Sequence, residues 1–181
     1  EAVVVFGAGG IGLNIIQAAA LLSASAIIAV DLFDSRLDLA QQLGATHIIN
    51  SRSNDAEASI KTALAGQPLD VFIDNTGVPA VIEQGYRLTH GQGRVILVGV
   101  PRQGTTVSLN TLPLHFGKLL AGSHGGECRP ERDIPRYLRL LQHGQLQMHR
   151  LVSHRYPLEE INTAIAAMRD GSTSGRVMID L

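Results

Sequence analysis

The sequence is poor in cysteine, tryptophan and charge of one sign, and each shortage closes off a class of function. Cys128 is the only cysteine in 181 residues, which excludes an internal disulfide and any multi-cysteine zinc or iron–sulfur site. Tryptophan is absent and aromatic residues make up 4% of the chain, too few for the stacking platforms that hold single-stranded nucleic acid. Fifteen Lys and Arg stand against 16 Asp and Glu, so nothing electrostatic points to a nucleic-acid or anionic-membrane partner. No apolar run is longer than stretches such as Ala18–Leu22, far short of the ~20 residues that span a bilayer. No signal peptide is visible either. What remains is the expectation of a soluble, cytoplasmic-type chain. Hydrophobic residues supply 45% of it, and a chain of this size buries roughly 70% of its unfolded surface. It opens at Glu1 directly into a strand pattern, as a piece of something longer would.

Short Val/Ile-rich runs alternate with helical patterns. Val3–Phe6 ends in glycine, and Ile11, Ile15, Ala18, Ala19 and Leu22 then recur at helical spacing. Ala26–Val30 is a second strand, closed by Asp31. Asp34 and Ser35 offer N-caps to a helix carrying Leu37, Ala40 and Leu43, which Gly44 stops. His47–Asn50, Asp70–Asp74 and Arg94–Val98 read as further strands, and Lys118–Gly122 as one more. Helices are expected at Ser53–Leu64 and Pro79–Leu88, with Gly91–Gln92–Gly93 as a turn after the second. Near-continuous apolar strands separated by helices mean a parallel sheet covered on both faces. The fold class is therefore α/β, a doubly wound parallel sheet with a short C-terminal α/β segment. In that segment a helix carries Ile134, Leu138 and Leu141, and a strand at Leu151–Tyr156, a helix at Leu158–Met168 and a strand at Arg176–Leu181 follow. The boundary falls near residue 126, giving units 1–126 and 127–181.

Gly7-Ala8-Gly9-Gly10-Ile11-Gly12 matches G-x-G-x-x-G, leaving a strand and opening a helix. In such a turn the first glycine permits the bend, the second lets backbone approach a pyrophosphate, and the third allows close helix–strand packing. Free N–H groups and the positive helix end supply the anion site. Asp31 lies 19 residues beyond Gly12, at the carboxyl end of the second strand, where a carboxylate accepts from an adenosine ribose and repels a 2′-phosphate. The combination reads as a dinucleotide-binding Rossmann domain that favours NAD. A helix-entry turn with an ordinary strand-end acid is the plainer alternative, and S-adenosylmethionine is another nucleotide ligand.

No catalytic set accompanies the turn. Tyr86, Tyr137 and Tyr156 never stand four residues before Lys61 or Lys118, which excludes the Tyr-x-x-x-Lys dehydrogenases. No serine sits in G-x-S-x-G, so an α/β-hydrolase is excluded. The histidines at 47, 90, 115, 124, 143, 149 and 154 form no H-x-x-x-H pair and read as surface or structural groups. Cys128, between Glu127 and Arg129, reads as a free surface thiol.

VVVFGAGGIG, then AVD with RLDLAQQLGATHIIN, then DVFIDNTG and GRVILVGVP, and finally AGSHGG, DIPRYLRLL and PLEEINTAIAAMRDGSTSGRVMIDL, run in order along the chain. The succession resembles the medium-chain, zinc-dependent alcohol and polyol dehydrogenases. The resemblance implies a dinucleotide-binding domain followed by a return segment of the catalytic domain, with the zinc-holding catalytic domain missing. It implies that Gly7, Gly9, Gly10, Ile11 and Gly12 hold the pyrophosphate and that Asp31 and Arg36 hold the adenosine ribose. Asn75, Thr76 and Gly77 would line the adenine and ribose side. Val98, Gly99 and Val100 would meet the nicotinamide, with Ser123 and His124 approaching from the sixth strand. Arg176 would reach the pyrophosphate, or else is a solvated strand-start arginine. The acid at position 31 argues against the zinc-free quinone-reductase branch.

The expected cofactor is NAD(H), with zinc only in a parent protein through the missing domain, and the substrate a small alcohol or carbonyl compound. By itself the chain is expected to be inactive. A non-catalytic NAD-sensing regulatory module is the alternative. Relatives pair nucleotide-binding sheets edge to edge, so Thr106–Leu114 is the expected edge of a homodimer.

Overall fold

A computed structural model describes residues 1–181. Six strands make one parallel sheet: β1 (Ala2–Phe6), β2 (Ala26–Asp31), β3 (His47–Asn50), β4 (Leu69–Asp74), β5 (Thr89–Leu97) and β6 (Leu119–Gly122). Their order is β3-β2-β1-β4-β5-β6, the Rossmann arrangement of two halves that wind in opposite directions from the centre. Helices α1 (Gly10–Leu21), α2 (Asp34–Gln42), α3 (Ala56–Leu64) and α4 (Pro79–Leu88) form the crossovers.

The strands are apolar throughout because they are covered twice. Val3 and Val5 of β1 pack with Leu13 and Ile16 of α1 and Leu37 of α2 on one face. Ala2, Val4 and Phe6 pack with Ile60 of α3 and Phe72 of β4 on the other. All five residues of β1 and all six of β2 are buried, as period-2 alternation between two filled faces requires.

Beyond the sheet come α5 (Pro130–Gln142), α6 (Met148–Leu151), β7 (Val152–Pro157), α7 (Ile161–Asp170) and β8 (Arg176–Asp180). β7 and β8 pair in parallel as a separate two-stranded sheet. This segment is tied to the first unit. Leu151 enters the core beside Leu37 and Leu43, and the Gln147 N–H donates to Gln17 Oε1 at 2.7 Å. No helix is long and apolar enough to cross a membrane.

Several local expectations are corrected. Neither Asp34 nor Ser35 caps α2; the N-cap is Phe33, with no side-chain bond, because Asp34 instead accepts from Asn50 Nδ2 at 2.6 Å. Helix α3 starts at Ala56, where Asp55 accepts from the N–H groups of Glu57 and Ala58. Residues 51–54 coil around the Asn50 carbonyl and side chain instead. Gly91–Gly93 lies inside β5 as a bulge, where the pairing jumps from Leu69↔Thr89 to Val71↔Arg94. Thr106–Leu114 contains no strand. Leu112–Phe116 is a 3-10 turn, and the sheet edge on that side is β6. The helix expected over Leu158–Met168 is a 3-10 turn, Leu158–Glu160, leading into α7.

Candidate cofactor site

Because β1 and β4 are adjacent in the sheet but feed crossovers that diverge, a crevice opens at their carboxyl ends. A cleft of about 940 Å³ lies there. Its floor is the glycine turn. Gly7, at φ +95°, bends the chain off β1 while its N–H donates to the Val30 carbonyl at 2.8 Å. At Gly12 any Cβ would collide with the Gly7 carbonyl oxygen, so glycine lets α1 press onto the turn. Gly10 lies under Arg176, whose Nε would be 2.6 Å from a Cβ there. Gly9 is different: nothing stands within 4 Å of where its Cβ would be. No side chain caps α1, and no acidic residue occupies its first turn. The positive end of the helix therefore faces open space with Arg176 beside it, an arrangement suited to an anion.

Asp31 ends β2 and is 6% exposed. Its Oδ2 accepts from the Ala8 N–H at 2.7 Å. Oδ1 accepts from the N–H groups of Leu32 at 2.8 Å and Phe33 at 3.2 Å, with Arg36 Nη1 at 3.6 Å. One carboxylate thus joins the glycine turn to the loop entering α2. Asp74 does the equivalent at the end of β4. Fully buried, it accepts from Thr76 N–H at 2.9 Å, Thr76 Oγ1 at 2.6 Å and Gly77 N–H at 3.0 Å. The backbone carbonyl of Asp74 takes the N–H groups of Val98 and Gly99 at 2.8 and 2.9 Å, fixing the end of β5. Between these anchors, Asn75 Nδ2 donates to the Gly7 carbonyl at 3.2 Å, while its buried Oδ1 has no partner.

The cleft lining brings together Gly7, Gly9, Gly10, Ile11, Gly12, Asp31, Arg36, Asn75, Thr76, Val98, Gly99, Val100 and Arg176. Arg176 therefore stands at the glycine turn and not merely in solvent ahead of its strand. Gly77, Ser123 and His124 are not in the lining. Gly77 sits behind the wall, packed on the Val100–Pro101 backbone. The Ser123 N–H donates to the Leu97 carbonyl at 2.8 Å, and His124 is exposed two residues beyond the end of β6. Leu32, Ser51, Val78, Val81 and Gln84 also line the cleft, and sequence reasoning missed them. Leu32 and Ser51 directly follow β2 and β3, so the rule that ligands meet the carboxyl ends of the strands would have found them. Asp74 was visible only as a charged last residue of an apolar strand.

Cys128 is exposed, yet its thiol is pushed up by local desolvation and by the neighbouring Asp133 carboxylate. The basic neighbours do not activate it. No three His, Cys, Asp or Glu side chains gather where they could hold a metal ion.

The open space over Gly9, the uncapped helix, the carboxylate at the end of β2 and the long cleft together define a Rossmann domain shaped for a dinucleotide. Comparison with known proteins gives the family. Residues 10–143 match the zinc-binding dehydrogenase family model, and the chain belongs to that family. It is 35% identical over 172 residues to an NDMA-dependent alcohol dehydrogenase of Amycolatopsis methanolica, covering 93% of this chain and 46% of that protein. It superposes on benzyl alcohol dehydrogenase of Acinetobacter calcoaceticus with a TM-score of 0.89 and 38% identity, covering 99% of this chain and 50% of the other. A Sinorhizobium meliloti protein solved bound to NADP gives a TM-score of 0.83 at 26% identity over all of this chain and 52% of its own. The chain thus spans about half the length of the relatives it matches.

Proposed function

We propose that this chain is the NAD(H)-binding part of a cytoplasmic zinc-type alcohol or polyol dehydrogenase, in which hydride passes between nicotinamide and an alcohol or carbonyl carbon. Residues 1–126 form the cofactor domain in this reading, and 127–181 are the return segment of the catalytic domain. The observation that carries it is the convergence, in one cleft, of the bare α1 N-terminus, the open space at Gly9 and the Asp31 carboxylate. Similarity that continues through the C-terminal segment, over 93% and 99% of the chain in two relatives, favours an enzyme over a free-standing sensor.

Each residue then has a task. The amides of the first turn of α1, with Arg176, hold the pyrophosphate by charge-assisted hydrogen bonds. Asp31 accepts from the adenosine ribose and Arg36 donates to it. Leu32 and Val78, about half exposed at the rim, give the adenine an apolar seat. Backbone groups of Val98, Gly99 and Val100 orient the nicotinamide end, which when bound supplies the hydride acceptor or donor. Zinc is held by residues outside these 181, so the isolated chain binds cofactor without turning over alcohol. A homodimer joins through the β6 edge, where Phe116 and Leu119 are 70% and 46% exposed.

Calorimetric titration with NADH and NADPH at equal salt tests the reading. NADH should bind at least tenfold more tightly than NADPH, because each tenfold corresponds to about 1.4 kcal/mol and a buried carboxylate facing a phosphate costs at least that. Tighter binding of NADPH, or no binding of either, would overturn it.

A further inference from the structure

Immediately after Asp31 the chain passes through Leu32 to Phe33, an extended residue (φ −120°, ψ 122°) at the start of α2. Arg36, from the first turn of α2, has its guanidinium carbon 4.6 Å from the centre of the Phe33 ring. Arg52, from the turn after β3, lies 4.9 Å from the same centre. The tip of that ring rests against Gly171, buried at the end of α7, where any Cβ would overlap it. The φ of Gly171, +80°, is also one that glycine adopts without strain. Three elements of the first unit and one turn of the C-terminal segment therefore meet at one aromatic side chain. Of Phe33, Arg36, Arg52 and Gly171, only Arg36 lines the cleft.

An arginine side chain is expensive to immobilise, and two guanidiniums repel each other. The π system of one ring attracts both, and a ring that cannot swing holds them in one place. The backstop at Gly171 stops that swing. Resting on the dinucleotide reading of the cleft, we propose that Phe33, wedged against Gly171, is a positioning residue for the adenosine end. It holds Arg36 beside Asp31 and brings Arg52 to the same rim. The C-terminal segment thereby shapes recognition at a place it does not touch.

The test uses the 181-residue chain, with 5′-AMP and inorganic pyrophosphate as separate probes titrated by amide NMR. Phe33→Leu and Gly171→Ala should each weaken AMP binding about five- to tenfold, the size of a lost cation–π contact. Pyrophosphate affinity should stay within about twofold of wild type. The double variant should bind AMP no worse than Phe33→Leu alone, because leucine leaves room for the new methyl. The Nε–Hε resonances of Arg36 and Arg52 should lose their ring-current shift in Phe33→Leu. Unchanged AMP affinity in folded Phe33→Leu overturns the proposal, as does equal weakening of both probes, which marks general loosening. If Gly171→Ala does not fold, Phe33→Leu decides alone. A wild-type chain that binds neither probe overturns the reading of the cleft, and the arginine resonances still decide whether the ring holds its two cations.

Discussion

Alanine at Gly9 and alanine at Gly12 should separate ligand binding from folding, although only three positions divide them. Gly9 is extended (φ −74°, ψ −171°), a conformation any residue adopts, and its Cβ would meet nothing within 4 Å. Stiffening the unfolded chain there stabilises by about 0.4–1 kcal/mol. Losing a residue favoured at an N-cap costs a similar amount, about 0.5–1 kcal/mol. The two nearly cancel, and at roughly 2–4 °C per kcal/mol for a chain of this size Tm should move by no more than ~2 °C. The new methyl nevertheless fills the open space at the mouth of α1 that the proposed reading gives to the pyrophosphate, and should keep a phosphate oxygen from closing its hydrogen bonds. One charge-assisted bond is worth about 1.5–3 kcal/mol, so NADH affinity should fall tenfold to a hundredfold. At Gly12 a Cβ would overlap the Gly7 carbonyl oxygen and lie 3.0 Å from its carbon and 3.4 Å from Asn75 Nδ2. That backbone is pinned by the Gly7 N–H bond to Val30 and cannot step aside, so overpacking should cost about 3 kcal/mol and 6–12 °C of Tm. Circular-dichroism melts paired with calorimetric titration of NADH read both quantities. A Gly9→Ala chain that melts far below wild type, or binds NADH as tightly, refutes the reasoning; so does a Gly12→Ala chain that melts with wild type.

Asp31→Asn should lower stability by about 1–3 kcal/mol even without ligand, because an amide cannot accept from N–H donors on both sides. Urea denaturation of the free chain checks this, and an m-value equal to wild type would show that the loss is one of stability. Arg176→Gln should leave Tm unchanged, since the side chain is exposed, while weakening NADH about tenfold at low salt and less at high salt. Lys118 is buried, donates to the Tyr86 and Thr89 carbonyls, and has its pKa pushed down by desolvation. Its folded pKa is thus below its unfolded value, so the unfolded chain binds the extra proton between the two. Stability should therefore rise with pH across that window, and Lys118→Met should flatten the rise in denaturation measured from pH 7 to 10.

The strands and crossovers were legible because burial on two faces forces uninterrupted apolar runs such as Ala2–Phe6 and Ala26–Val30. Errors came where chemistry and geometry part. Gly91-Gln92-Gly93 has the composition of a turn, but a bulge also needs a residue without a Cβ, and Gly93 sits against the Asp70 carbonyl. Asp34 looks like a cap, yet its oxygen is taken by Asn50 from the neighbouring strand end. Thr106–Leu114 has strand-like residues, but it lies outside the sheet and ends in a 3-10 turn containing Pro113. The glycine turn and Asp31 were readable as local spacing, whereas Arg36 came only with the family resemblance. The seating of Phe33 on Gly171 joins residues 138 positions apart, and no local pattern carries it.

Asp31 illustrates how one residue can answer two demands. A carboxylate has about four lone-pair sites, and the N–H groups of Ala8, Leu32 and Phe33 occupy three of them in the free chain. Those bonds hold the glycine turn against the α2 entry before any ligand arrives, so a group that only accepts is required for the fold itself. One site is left. In the proposed dinucleotide reading a ribose hydroxyl donates to it and a second hydroxyl is met by Arg36, whose guanidinium is already 3.6 Å from the carboxylate. A 2′-phosphate is mostly dianionic at neutral pH and meets the same oxygen as a like charge. In the proposed reading the preference for NADH over NADPH rests on that fourth lone pair, while the other three explain why the acid is buried where it stands.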